Sequence, residues 1–343
     1  MQMKTTLAGI VLVISLAAFT AFTALKDKEK EPSGITLAIN KGIPLLQRSS
    51  HEFLENAVSC HSCHGQDLSA VAFTMAERKG FVIDQKILQE AKDSIYNNLK
   101  AEGAKGFLVE NDESRPLEIR AGYDLWAFSA LGCQPDKWIE LLALDMLHRQ
   151  RNDGSWASPS ARPPLEYYSF STTALAVKGI QVYVPGNYKE QLEKKVQKAR
   201  NWLTNAIPLE NEEKVFQLLG LIWSNADKEF IEGQAAKLLQ EQREDGGWAQ
   251  LKTLPTDAYA TGQALYALNQ SGKLKSDDPA YQKGVSFLLK TQFEDGSWEV
   301  QSRSFPTVPY VYSGFPHGKN QFISAAATNW AIMALILAAK GQY

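Results

Sequence analysis

Apolar positions recur along this chain in two ways, and the two alternate. From Lys189 to Asn205 the residues Leu192, Val196, Ala199 and Leu203 keep to one helix face, with charged and amide side chains on the other. From Phe322 to Ala339 nearly every position is apolar or small, the pattern of a helix buried on all sides. Stretches of the first kind precede stretches of the second throughout. An outer helix with a wet face followed by an inner helix without one, repeated about every 40–50 residues, predicts two concentric rings. The expected fold class is all-α, an α/α toroid.

The turns between these stretches support the repeat. Gln150-Arg151-Asn152-Asp153-Gly154-Ser155-Trp156, Gln242-Arg243-Glu244-Asp245-Gly246-Gly247-Trp248 and Gln292-Phe293-Glu294-Asp295-Gly296-Ser297-Trp298 match one another. The Asp-Gly step predicts a turn with glycine at positive φ, and the tryptophan is expected over a neighbouring helix end. The first two motifs stand nearly two periods apart, so a degenerate unit lies between them: the Lys189–Asn205 helix, a loop around Pro208, and an apolar helix from Val215 to Trp223. Upstream, Ile87 to Lys100 reads as an outer helix and Ile119 to Leu131 as its inner partner, with a polar loop around Asp112. Before that come Ala38 to Leu54 and Leu68 to Arg78. Six helix pairs result, filling residues 35–343.

The first 34 residues do not join this pattern. Lys4 precedes an apolar run from Leu7 to Leu25, and Lys26 to Glu31 is fully charged. Residues 1–25 read as a signal peptide or membrane anchor, 26–34 as a charged linker, and residues 5–25 would supply a membrane tether. The chain is expected to be exported, periplasmic or anchored facing the periplasm. Its 343 residues carry a formal net charge of −2, which argues against a nucleic-acid footprint. No phosphate-binding glycine loop or serine-hydrolase elbow is found.

One loop carries chemistry of its own. Between the first outer and inner helices stands Cys60-His61-Ser62-Cys63-His64, using two of only three cysteines. Cys-x-x-Cys-His is the pattern of covalent haem c: two thiols add to the vinyl groups and the histidine takes the iron. Half a zinc site, a redox pair and a plain disulfide or free pair are the alternatives. Zinc would need a second ligand pair, and Cys133 has no partner at metal spacing. A redox Cys-x-x-Cys would sit in a βαβ context, which this chain lacks. The motif occupies the place that Asp-Gly-x-Trp holds in other units.

The Gln-x-x-Asp-Gly-x-Trp segments resemble the QW repeats of squalene–hopene cyclases and of prenyltransferase/squalene oxidase repeat proteins. The likeness covers most of the chain after residue 120. The stretch Ser313-Gly314-Phe315-Pro316-His317-Gly318, with Ile323-Ser324 after it, is similar to a bacterial subgroup that also carries an N-terminal Cys-x-x-Cys-His. The resemblance implies the toroid. Cyclases of this superfamily protonate substrate with Asp-x-Asp-Asp, and no such run is present, so cyclase activity has no motif here. Asp257, opening an inner helix, is a catalytic candidate whose bland reading is an N-cap.

Cys60, Cys63 and His64 are therefore the expected cofactor-binding residues, with His64 on the iron. His317 lies in a long loop at the same end of the ring and is the candidate for the iron's far side or for catalysis; His51 is a rival. His148 reads as a helix C-terminal partner and Cys133 as an inert thiol. Loop aromatics Tyr167, Tyr168, Phe170, Tyr259, Tyr310, Tyr312 and Phe315 would line a mouth pocket or pack the loops together. The expected function is electron transfer or haem-dependent redox chemistry at the toroid mouth, with a redox partner protein or a small apolar ligand. The alternatives are a non-haem terpenoid cyclase or prenyltransferase-like enzyme, or a toroid binding protein. A small cytochrome domain over residues 35–115, followed by a five-unit array, is a second layout for the haem.

Overall fold

The computed structural model describes residues 33–57, 62–104, 118–158, 162–304 and 311–341, and its helices alternate as the polarity pattern requires. The outer helices are α1 (Gly34–Asn56), α3 (Gln85–Ala104), α5 (Lys137–His148), α7 (Lys189–Asn205), α9 (Lys228–Leu239) and α11 (Pro279–Thr291). The inner helices are α2 (Leu68–Arg78), α4 (Glu118–Ala130), α6 (Ser169–Tyr183), α8 (Asn211–Trp223), α10 (Ala258–Gln270) and α12 (Gln321–Ala338). No strand occurs among the described residues. Residues 1–25 with their tether, most of the 26–34 linker, Cys60, His61, Asp112 and Tyr310 lie outside the described residues.

Each inner helix packs on the next, and α12 closes on α2 and α1, completing an α/α toroid. The first pair is part of this ring, so the layout with a separate cytochrome domain does not hold. The closing helix is apolar enough to cross a membrane, yet 83% of its apolar window is buried inside the ring. That burial explains the composition: a helix surrounded by helices has no face for polar residues. Every inner helix starts at the end where the outer-to-inner loops lie, so all six run in one direction.

The three tryptophan motifs share one wiring. Trp156, Trp248 and Trp298 donate their indole N–H to Met146, Leu238 and Leu288, capping carbonyls near the end of the preceding outer helix at 2.7, 2.9 and 2.9 Å. Their backbone N–H groups donate to Thr173, Thr261 and Thr328 of the following inner helix. Gln150, Gln242 and Gln292 each donate to the carbonyl of the motif glycine and to one carbonyl of the next outer helix, Lys195, Ala280 and Ala38. The glycines take φ of 99°, 93° and 93°. A Cβ there would come within 2.5 Å of the next outer helix's backbone, so the turn needs glycine twice over. The Gln292–Ala38 bond, at 3.0 Å, closes the ring.

Candidate functional site

The site begins at the acidic start of α8. Glu210 and Glu213 form a capping box, each side chain accepting from the other's backbone N–H. Glu212 takes no part in it and is 2% exposed, inside the ring. Its Oε2 accepts from the Tyr259 hydroxyl at 2.8 Å and from Gln263 Nε2 at 2.7 Å, both on α10. Its Oε1 has no hydrogen-bond partner among the described residues. Burial pushes the carboxyl up to about 8, against the hydrogen bonds from Gln263 and Tyr259. Glu212 is therefore a neutral acid at pH 7, and with Oε2 accepting twice the proton resides on the bare Oε1.

Opposite stand Tyr123 of α4 and His64. The Tyr123 hydroxyl is buried and has no partner among the described residues. Burial raises its pKa well above the usual value, and the charges of Glu212, Cys63, Glu166 and Asp67 add to that. The His64 ring meets Tyr123 edge-on, with centroids 5.8 Å apart. Burial brings its pKa down to about 4, so the imidazole is neutral, and its Nε2 is unpartnered. The backbone that carries it is tied firmly. Ser62 Oγ caps the N–H groups of His64 and Gly65, Gln66 bonds Ser62 and Ser50, and Asn329 of α12 donates to the His64 carbonyl. Cys63 is buried beside it, its thiol pushed up by burial and by Glu166, Asp67 and Asp124.

One to two turns further into the ring the lining changes to aromatic. Trp126 meets Trp223, Trp330 and Tyr266 at 5.7, 5.9 and 6.4 Å between centroids, and Phe216 meets Trp330 at 6.2 Å. Glu212 and Phe216 are one helical turn apart, as are Tyr123 and Trp126, or Gln263 and Tyr266. The polar groups thus form a layer at the loop end above an aromatic floor. Over that layer the last loop reaches across the ring. Arg303 pairs with Glu210 at 2.9 Å and donates to Gln250 at 2.9 Å, Tyr168 donates to Glu210, and Ser304 donates to the Pro163 carbonyl.

The sequence-predicted residues fall in several places. Cys63 and His64 enter the polar layer. His317 does not share a described contact with His64: its Nε2 lies 2.8 Å from Ser297 Oγ, its Nδ1 3.8 Å from Glu299, and its ring packs on Phe293 and Phe315. Its left-handed φ of 77° fixes this turn at the last tryptophan motif. His51 pairs with Glu90 of the neighbouring outer helix, and His148 bonds the Leu144 carbonyl in the last turn of α5. Asp257 is an N-cap, accepting from the Ala260 N–H and from Gln250; burial pushes it up to about 6. Cys133 is half-buried behind α4, with its pKa raised by that burial. Among the loop aromatics, Tyr259 reaches Glu212, Tyr168 and Phe170 pack loop and helix, and Tyr167 and Tyr312 are exposed. Among the described residues no three His, Cys, Asp or Glu side chains converge as metal ligands.

Sequence reasoning missed Glu212, Tyr123 and Gln263. A signal was present for the first: Glu212 shares a helix face with Phe216 and Leu219, four and seven residues on, and so belongs to the buried stripe.

Six parallel inner helices within six outer ones define the fold class, an α/α toroid. Residues 210–343 match the family described as the squalene-hopene cyclase C-terminal domain. The chain is 32% identical over 107 residues to a squalene–hopene cyclase of Bradyrhizobium diazoefficiens, covering 28% of this chain and 16% of that protein. It is 36% identical over 99 residues to the squalene–hopene cyclase of Zymomonas mobilis, covering 29% and 14%. The matched stretches thus span only about a sixth of those relatives. The type II terpene cyclase MstE from Scytonema superposes with a TM-score of 0.54 at 13% identity, over 88% of this chain and 98% of that one. A Salmonella enterica structure described as a possible member of the GH105 family gives 0.54 at 11%, over 92% and 96%. The fold is shared by proteins of different description, so activity has to be argued from the site.

Proposed function

We propose that this protein is a cyclase-like enzyme that admits an apolar, isoprenoid-type molecule to its ring interior and acts on it by proton transfer from Glu212. The observation that carries the reading is the state of that carboxyl: buried, neutral at pH 7, one oxygen saturated by Tyr259 and Gln263, the other bare. A neutral acid with its proton on an unpartnered oxygen is a general acid in waiting. Aromatic faces one turn deeper would stabilise positive charge developing on a hydrocarbon. Protonation of the substrate starts the rearrangement, and loss of a proton from the product returns one to Glu212, so the reaction balances as an isomerisation. The match of residues 210–343 to a cyclase family, which includes Glu212, supports the same direction.

The test is conversion of a polyprene such as squalene by the full-length protein, followed by mass spectrometry for an isomeric cyclic product. Glu212→Gln keeps the hydrogen-bonding shape and removes the acid, so turnover should fall at least a hundredfold. Unchanged turnover in that variant would overturn the assignment.

A second reading rests on His64. Its neutral, buried, unpartnered Nε2 suits an iron ligand, and Cys63 stands next to it in the Cys-x-x-Cys-His loop. Those residues with Cys60 would hold haem c, which supplies one-electron transfer when bound. Intact mass and a visible spectrum decide it, on protein exported with a c-type haem maturation system. A gain of one haem that resists acid–acetone extraction supports this reading; two unmodified thiols, in a strain that matures a control cytochrome, rule it out.

A further inference from the structure

The polar layer has a chemistry that limits which isoprenoid it can receive, given the proposed reading of the site. Four buried side-chain atoms in it lack partners among the described residues: His64 Nε2, Tyr123 Oη, Glu212 Oε1 and Gln263 Oε1. Gln263 Oε1 can only accept a hydrogen bond, whereas the Tyr123 hydroxyl can donate one, which leaves the Glu212 Oε1 proton for the hydrocarbon. Together they suit a group that both donates and accepts, and an uncharged hydroxyl does both.

Charge in this region points the same way. The Arg303 guanidinium is occupied by Glu210 and Gln250, and Arg162 lies 3.6 Å from Glu166. Arg120, on the first turn of α4, shares the surroundings of the Cys63 thiol with Asp67, Asp124 and Glu166. Among the described residues, Glu210 and Glu166 thus each stand against one of these arginines, and Asp67 and Asp124 lie around the same thiol as the third. A diphosphate needs several free cations or a metal cradle, and among the described residues no three metal-ligating side chains converge. We infer that the polar layer receives the hydroxyl head of an isoprenoid alcohol, whose tail lies toward the Trp126–Trp330 aromatic floor, and that it rejects isoprenoid diphosphates.

The experiment compares three probes on the full-length protein in one detergent: geranylgeraniol, geranylgeranyl diphosphate and the hydrocarbon squalene, by equilibrium binding. Geranylgeraniol should bind at least about tenfold more tightly than either other probe, the worth of one to two buried hydrogen bonds. Tyr123→Phe should remove most of that advantage, read as the ratio of geranylgeraniol to squalene affinity, a split that loss of folding could not produce. Diphosphate binding equal to or tighter than the alcohol would overturn the inference and leave the isoprenoid reading standing. Equal binding of alcohol and squalene would do the same. No binding of any of the three would overturn both.

Discussion

Two kinds of loop carry the chain from outer to inner helix, and they are wired for different ends. In the tryptophan loops the repeated wiring uses the glutamine amide, the indole and the motif backbone to join three helices. In the first unit the hydrogen bonds of Ser62, Gln66 and Asn329 hold a backbone whose side chain, the His64 imidazole, leaves a buried nitrogen unused. The first design gains stability from the amide and indole donors it orders. The second orders the His64 imidazole and leaves its Nε2 without a partner among the described residues, as the proposed haem reading would require.

That contrast can be broken by measurement. The largest effect should come from Trp298→Ala, which empties a fully buried site at the ring closure; denaturant unfolding should show a loss of about 3–5 kcal/mol. A loss under about 1 kcal/mol would mean that the motif does not hold the ring.

Glu212→Gln comes next, and its sign depends on pH. The folded pKa, about 8, lies above the unfolded value of 4.5, so between those values the unfolded chain ionises while the folded one stays neutral. Wild-type stability therefore falls as pH rises from 4.5 to 8, and the variant should escape that fall. At pH 8 it should be the more stable by the order of 3 kcal/mol, with little difference at pH 4. Parallel stability curves for the two proteins would show that Glu212 is charged in the fold.

Gln66→Ala should cost about 2 kcal/mol, because Ser62 N–H and the Ser50 carbonyl lose a buried partner. The smallest change is the most telling. His64→Leu should alter stability by no more than about 1 kcal/mol, and toward the stable side, since it removes an unsatisfied polar atom. A loss as large as that of Trp298→Ala would make His64 a structural residue and erase the difference between the loops.

Most of the ring could be read in the sequence, and the interior could not. Helix pairing follows from polarity alone, because an inner helix has no wet face; Leu68 to Arg78 was placed residue for residue. The glycine and tryptophan roles followed from turn chemistry that is local. Glu212 escaped because three glutamates within four positions look like a solvated helix start, and only the capping box shows which two are spoken for. His317 is expected beside the Cys63–His64 loop because ring closure brings units six and one together, which it does. Its left-handed turn then hands the ring to Ser297 and Glu299 instead. The reach of Arg303 to Glu210 and Gln250 crosses two units and has no local signature at all.

The bond from Gln292 to Ala38 also sets an order of events. A ribosome makes the first helix long before the motif that seats it, so α1 and the Cys63–His64 loop wait through most of synthesis without their final neighbours. Contacts so distant in sequence form late and slowly. Until Asn329 and Gln292 arrive, the His64 carbonyl and the Ala38 carbonyl lack the donors that hold them in the finished ring.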